Sequence, residues 1–273
     1  MGDPTIVVTN DDGIDSVGFG RLFDALAPLG EVVAVAPASD QSAVGRSIDM
    51  VNDISEHPLG YAVDGTPAAC AITAITALDL DPDLLVSGIN KGANLGSAAL
   101  TRSGTVSAAI EAAYLGTPAI AVSTYIPFER IEGDFRDYEA DPSEFDLAAR
   151  VARGLLRGVE GDLFDGVDYY NVNVPMTGAV SSPTVAVTSP APGYHTEAEL
   201  DGNRVVFRDR QFEHLYAGRV EDGLSTDRGA IARDAVSVTP LRLPTRGLEA
   251  TELTAVERIV STRLDGIASG VAR

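Results

Sequence analysis

Read for its apolar and polar positions, the chain opens on a run of β-branched and aliphatic residues, Thr5, Ile6, Val7, Val8 and Thr9, that stops at Asn10, Asp11, Asp12 and Gly13. An apolar run of this length closed by turn residues predicts a strand buried on both faces. Residues 18–29 follow with helical spacing, with Leu22, Phe23, Leu26 and Leu29 on one side and Gly30 as a stop. Residues 31–36 (E-V-V-A-V-A) predict a second buried strand ended by Pro37, which completes a βαβ unit. The polar loop 38–47 then emerges at the same sheet edge as the two aspartates.

The pattern continues with an excursion of short strands over 50–64, turning at His57-Pro58-Leu59-Gly60, and a helix over 67–78 with Pro67 in its first turn. A strand over 84–87 runs into a Gly- and Asn-rich loop, 88–103, longer than a connection requires and therefore a candidate for function. A helix over 105–115 and a strand over 119–123 complete the regular part. Beyond it, 143–156 predicts an amphipathic helix, 169–174 and 184–188 strands, and 190–223 an extended arm or hairpin. The segment 226–232 predicts a short helix, 235–239 a strand, and 248–264 a terminal amphipathic helix. This alternation predicts an α/β fold, a doubly wound and mostly parallel sheet. Its core would be 1–189, and its C-terminal extension 190–273, with a returning helix and strand over 226–241.

Charge changes the picture more than composition does. Among 273 residues, 40 are Asp or Glu and 20 Lys or Arg, a formal charge of −20, and Lys91 is the only lysine. Such a surface repels nucleic acid polymers and anionic membranes, so neither is expected as a partner. The acidic residues are dispersed rather than clustered, which favours adaptation to high intracellular salt (a halophilic protein) over a patch for a basic partner. A single cysteine, Cys70, excludes an internal disulfide framework. With no basic-then-apolar leader and no stretch near the ~18 apolar residues of a membrane span, a cytoplasmic protein is expected.

Three loops converge on one sheet edge and bring short oxygen donors: Asp11 and Asp12, then Ser42, then Asn90 and Asn94. Adjacent carboxylates repel unless a cation lies between them. A polar turn is the competing reading of Asn-Asp-Asp-Gly, because these residues dominate turns. Carboxylate, hydroxyl and amide oxygens without paired His or Cys suit magnesium, manganese or calcium rather than zinc. Ser103-Gly104-Thr105 stands where a helix begins, as a phosphate site on its N-terminal N–H groups or as a simple cap. A cation beside a phosphate site suggests phosphate-ester hydrolysis, with the metal polarising a phosphoryl oxygen and acidifying water. His57, His195 and His214 fall outside these loops, and Cys70 sits in an apolar helix, so none is assigned a role.

Several motifs then carry a family resemblance. They are Val8-Thr9-Asn10-Asp11-Asp12-Gly13-Ile14, Val35-Ala36-Pro37 with Ser42 five residues on, Val63-Asp64-Gly65-Thr66-Pro67, Ser87-Gly88-Ile89-Asn90-Lys91-Gly92-Ala93-Asn94-Leu95-Gly96, Ser103-Gly104-Thr105-Val106 and Gly116-Thr117-Pro118. Later echoes are Asn171-Val172-Asn173-Val174-Pro175 and Ser237-Val238-Thr239-Pro240-Leu241. Over 5–241 the chain resembles the SurE family (stationary-phase survival protein) of metal-dependent 5′-nucleotidases. The resemblance implies a Rossmann-like core and one divalent cation, Mg or Mn, held by Asp11, Asp12, Ser42 and Asn90, the two aspartates also being the catalytic residues. It implies a phosphate site lined by Asn94, Ser103, Gly104 and Thr105, with Asn10 orienting the aspartates. It further implies hydrolysis of nucleoside 5′-monophosphates, with 3′-monophosphates left open, and a C-terminal arm exchanged in a homodimer or homotetramer. Ala68 and Ala69 before Cys70, Gln41 before Ser42, and Arg102 in a place often aromatic depart from the family pattern. A non-catalytic metal- or nucleotide-binding module is the alternative. A phosphatase with an aspartyl-phosphate intermediate at Asp11 is another, although Gly13 stands where its Asp-x-Asp would need the second aspartate.

Overall fold

The computed structural model describes residues 3–131, 135, 138–157, 163–178, 183–193 and 195–243, with the side chain of Phe128 excepted. The helix expected over 248–264 lies outside the described residues. The opening run forms β1 (Thr5–Thr9), followed by α1 (Val17–Leu26) and β2 (Glu31–Pro37). The excursion becomes the hairpin β3 (Ile54–His57) and β4 (Gly60–Val63), leading to α2 (Pro67–Ile72). Then come β5 (Leu84–Lys91), α3 (Ser97–Leu100), α4 (Gly104–Tyr114) and β6 (Ala119–Tyr125). The remainder comprises α5 (Asp146–Leu156), β7 (Tyr169–Pro175), β8 (Val185–Val187), β9 (Thr196–Asp201), β10 (Arg204–Asp209), α6 (Arg210–Tyr216), α7 (Asp227–Ile231) and β11 (Val236–Leu241).

Nine strands make one sheet in the order β3–β4–β2–β1–β5–β6–β7–β11–β8. From β4 to β7 neighbouring strands are parallel, while β3 and β11 run antiparallel to β4 and β7. Numbered by appearance, those six parallel strands lie 3-2-1-4-5-6, the dinucleotide-fold order, and the winding reverses between β1 and β5. Ligands bind beyond the carboxyl ends of the strands at that reversal. The alternation in β1 shows why the run is wholly apolar: Ile6 and Val8 face α1 and α5, and Val7 faces α2 and α4. Strands covered by helices on both faces have no polar side to display.

One expected helix and one expected strand end differently in the fold. The segment expected as one helix over 67–78 is α-helical only to Ile72 and then passes into a π-helical turn, Thr73–Ala77. The hydroxyls of Thr73 and Thr76 donate to the carbonyls of Ala69 and Ile72 at 2.8 and 2.7 Å, a local competition that disturbs the helical ladder. The strand expected over 84–87 runs on to Lys91, with a register shift against β6 between Ser87 and Asn90. Asn90 therefore sits on the sheet rather than in a free loop.

The C-terminal segments return to the sheet through one buried carboxylate. Asp227, wholly buried at the start of α7, accepts from the N–H groups of Gly96 (2.8 Å), Ala191 (2.8 Å) and Arg228 (2.7 Å). It ties the loop after β5 to the chain entering the hairpin. Burial raises its pKa, and those three N–H bonds oppose the rise. Asp227→Ala leaves the Gly96 and Ala191 donors without their acceptor and is expected to cost on the order of 3 kcal/mol. Urea unfolding should show a lower midpoint at unchanged slope, with Asp227→Asn in between.

Candidate functional site

Beyond the carboxyl ends of β1, β2 and β5 opens a cleft of about 430 Å³. Asp11, Asp12, Ser42, Asn90, Asn94 and Ser103 all line it, so the three loops do meet at the reversal of the sheet. Asn10, Gly104 and Thr105 lie behind that wall, and none of the three histidines lines the cleft.

The two aspartates are held by different partners. Asp11 is buried, and its Oδ1 accepts from Thr105 Oγ1 at 2.6 Å. Burial raises its pKa, against the pull of the Thr105 hydroxyl and N–H. The N-terminus of α4 thus presents its first turn to the Asp11 carboxylate, while Ser103 caps the helix by accepting from Val106 N–H at 3.1 Å. Asp12 Oδ2 accepts from the Lys91 backbone N–H at 3.0 Å. Burial, then the Asp11 charge, pushes the Asp12 carboxyl up to about 7. Asn10 secures the turn beneath them, with Nδ2 donating to Gly13 O and Ser16 Oγ, both at 2.8 Å. Its Oδ1 is buried without a protein partner.

The other predicted residues are equally constrained. Asn90 Nδ2 donates to Gly92 O at 2.5 Å, which leaves Oδ1 as the amide atom available to a ligand. Asn94 is fixed by donating from its N–H to Asn173 Oδ1 (2.8 Å) and from Nδ2 to Ser123 Oγ (2.9 Å). Its carbonyl accepts from Asn171 and Asn173. Ser42 is exposed, and its Oγ donates to Asp40 Oδ1 at 2.6 Å. Asp40 is a third carboxylate on the cleft, and its charge also raises both aspartates. Residue type and loop position alone do not single it out, although its place two residues before Ser42 is a usable signal. Lys91, Arg102 and the rings of Tyr125, Phe135, Phe212 and Tyr216 complete walls that spacing along the chain did not indicate.

This arrangement fits a divalent cation. Two carboxylates that burial, and for Asp12 also the Asp11 charge, hold against ionisation lie beside a third, with amide and hydroxyl oxygens at hand, the donor set of a hard cation. Among the described residues there is no cluster of three or more His, Cys, Asp or Glu suited to hold a metal by themselves, so Ser and Asn oxygens are needed to complete a set. Cys70 is buried, its thiol pushed up to about 12 by burial, and it offers no thiolate.

Known proteins similar to this chain fall in one family. The model of the family described as Survival protein SurE matches residues 6–196. The chain is 46% identical over 240 residues to a 5′-nucleotidase SurE of Natronomonas pharaonis, covering 88% of this chain and 93% of that one. It is also 46% identical over 245 residues to the protein of the same name from Haloarcula marismortui, covering 89% and 90%. Among solved structures it is similar to the SurE protein of Aquifex aeolicus, with a TM-score of 0.70 and 29% identity over 94% of this chain and 100% of that one.

Gly104 offers a direct check of the geometry. A Cβ there would fall 2.8 Å from Asp11 Cβ and 2.9 Å from its Oδ2. Gly104→Ala must displace Asp11 and is expected to cost about 1–3 kcal/mol. The rise in Tm on adding manganese should shrink with it, which differential scanning fluorimetry with and without chelator would measure.

Proposed function

The chain belongs to the Survival protein SurE family, and on that footing we propose that it is a metal-dependent phosphomonoesterase converting nucleoside 5′-monophosphates to nucleoside and phosphate. The observation that carries the reading is the pair Asp11 and Asp12, both raised in pKa, facing the cleft at the reversal of the sheet. Asp11, Asp12, Asn90 Oδ1 and Ser42 Oγ would hold one magnesium or manganese ion. When bound, that ion supplies Lewis-acid polarisation of the phosphoryl oxygen and acidifies water.

The chain's own residues keep this set in place. Thr105 and the first turn of α4 orient Asp11, the Lys91 N–H orients Asp12, and Asp40 fixes the Ser42 hydroxyl. Ser103, Asn94, Lys91 and Arg102 line the same cleft and supply donors to a phosphate that the protein's overall charge would repel. With Gly104 and Thr105 directly behind, they make up the phosphate side of the site.

We further assign 1–189 to the catalytic core and 190–273 to an extension whose strand β11 joins the sheet. The hairpin β9–β10 turns one face of paired apolar residues outward: Ala198 opposite Phe207, and Leu200 opposite Val205. Leu200 is 78% exposed and Phe207 72%. An uncovered apolar face on so acidic a protein points to a second copy of the chain, hence to a homodimer or homotetramer built through the arm. Phe207→Glu is expected to reduce the mass measured by light scattering, and a wild-type monomer at micromolar concentration would remove this reading.

No helix among the described residues is long and apolar enough to cross a membrane. The dispersed acidity and the two relatives from halophilic archaea support a cytoplasmic enzyme adapted to salt. A panel of nucleoside 5′- and 3′-monophosphates, assayed with magnesium or manganese in molar KCl, tests the activity. Phosphate release should favour the 5′-esters, stop with chelator, decline at low salt, and fall at least ~100-fold in Asp11→Asn with the fold intact. Absence of release from every ester would leave a binding module instead.

A further inference from the structure

The walls of the cleft divide by chemistry. Asp11, Asp12, Asp40, Asn90 and Asn94 follow or end β1, β2 and β5, whereas Tyr125 at the end of β6 and Phe212 and Tyr216 on α6 bring rings, with Asp209 and Gln211 beside them. Of eight tyrosines and eight phenylalanines in the chain, Tyr125, Phe135, Phe212 and Tyr216 line this one cleft. Tyr125 stacks on Tyr216, with centroids 6.1 Å apart and planes at 24°, and Phe212 leans on Tyr216 at the same distance and 45°. All three rings remain partly open to solvent rather than sealed in the core.

The shelf is also built to stay in register with the carboxylate end. Buried Leu215 of α6 packs with Leu95 and Ile231 in a small apolar cluster apart from the main cores, and Leu95 follows Asn94 directly. Asp209 caps α6 by accepting from the N–H groups of Gln211 and Phe212 at 2.9 and 3.3 Å. Gln211, also on the cleft, offers both a donor and an acceptor.

From this division, and resting on the nucleotidase reading, we propose that Tyr125, Phe212 and Tyr216 form the nucleobase subsite. They would bind the base by stacking and make the enzyme select nucleotides over simpler phosphate esters. A protein carrying −20 gains no long-range attraction for an anionic substrate, so the neutral base is the part of a nucleotide it can hold without opposing its own field. Stacking on aromatic rings is indifferent to charge and tolerant of base identity. A cleft of about 430 Å³ is of a size that takes a whole small molecule rather than a phosphate alone.

The test compares AMP with ribose 5-phosphate, which keeps the ester and lacks the base, in molar KCl with manganese. Wild type should prefer AMP in kcat/KM. In Phe212→Ala/Tyr216→Ala that preference should fall roughly 10- to 100-fold through KM, while Tyr216→Phe, which keeps the ring, retains it. A preference unchanged in the double variant overturns the proposal. Adenosine, which needs neither phosphate nor metal, separates the two readings by saturation-transfer difference NMR. Base contacts in wild type that vanish in the double variant support the subsite even if no ester is hydrolysed, an outcome that would reject only the nucleotidase reading. Hydrolysis of AMP with no adenosine contact and no preference over ribose 5-phosphate rejects only the subsite.

Discussion

Asp11 and Asp12 are adjacent in sequence, largely withdrawn from water, and raised in pKa by burial, for Asp12 also by its neighbour's charge. Carboxylates in that position resist ionising together unless positive charge is supplied, and much of the surrounding structure supplies it in part. The first turn of α4 is turned on Asp11 through Thr105, and the Lys91 N–H on Asp12. These partial charges orient the pair without neutralising it. That residual deficit is the physical case for a divalent cation, and Asp40 close by deepens it.

Bringing a helix N-terminus this near to a carboxylate demands a missing side chain. Gly104 provides it, since any Cβ would overlap Asp11. A similar approach occurs at Gly88, with φ +139°, where a Cβ would lie 2.3 Å from Val122 O of the neighbouring strand. Gly88 lies within β5 and Gly104 opens α4, the strand and helix on either side of the loop that carries Asn94. One draws β5 against β6 and the other draws the start of α4 against Asp11.

The C-terminal third completes that cleft instead of decorating it. Asp227 binds the Gly96 loop to the entrance of the hairpin, and Arg228 lines the cleft beside it. Through the Leu95–Leu215–Ile231 cluster, α6 rests on the loop that carries Asn94. The proposed catalytic end and the proposed base shelf therefore share a small apolar contact. A disturbance of α6 would be felt at Asn94 as well as at the rings.

The sequence by itself determined the strands, the α/β class and the three oxygen-bearing loops. Apolar runs such as Ile6–Val8 can be satisfied only by burial on both faces, and Asn-Asp-Asp-Gly must then fall at a strand end. It also located Asp11, Asp12, Ser42, Asn90, Asn94 and Ser103 on one edge, because every parallel strand delivers its following loop to the same side. Only the tertiary structure decided that Thr105 and Gly104 stand behind Asp11, that Asp40 joins the carboxylates, and that the rings of Tyr125, Phe212 and Tyr216 meet. Thr105 lies 94 positions from Asp11, Asp40 lies 29 from it, and Tyr216 lies 91 from Tyr125, so no local pattern along the chain pairs them. Their proximity follows from the order of strands in the sheet and the return path of the arm, which depend on which surfaces pack together and not on any local pattern.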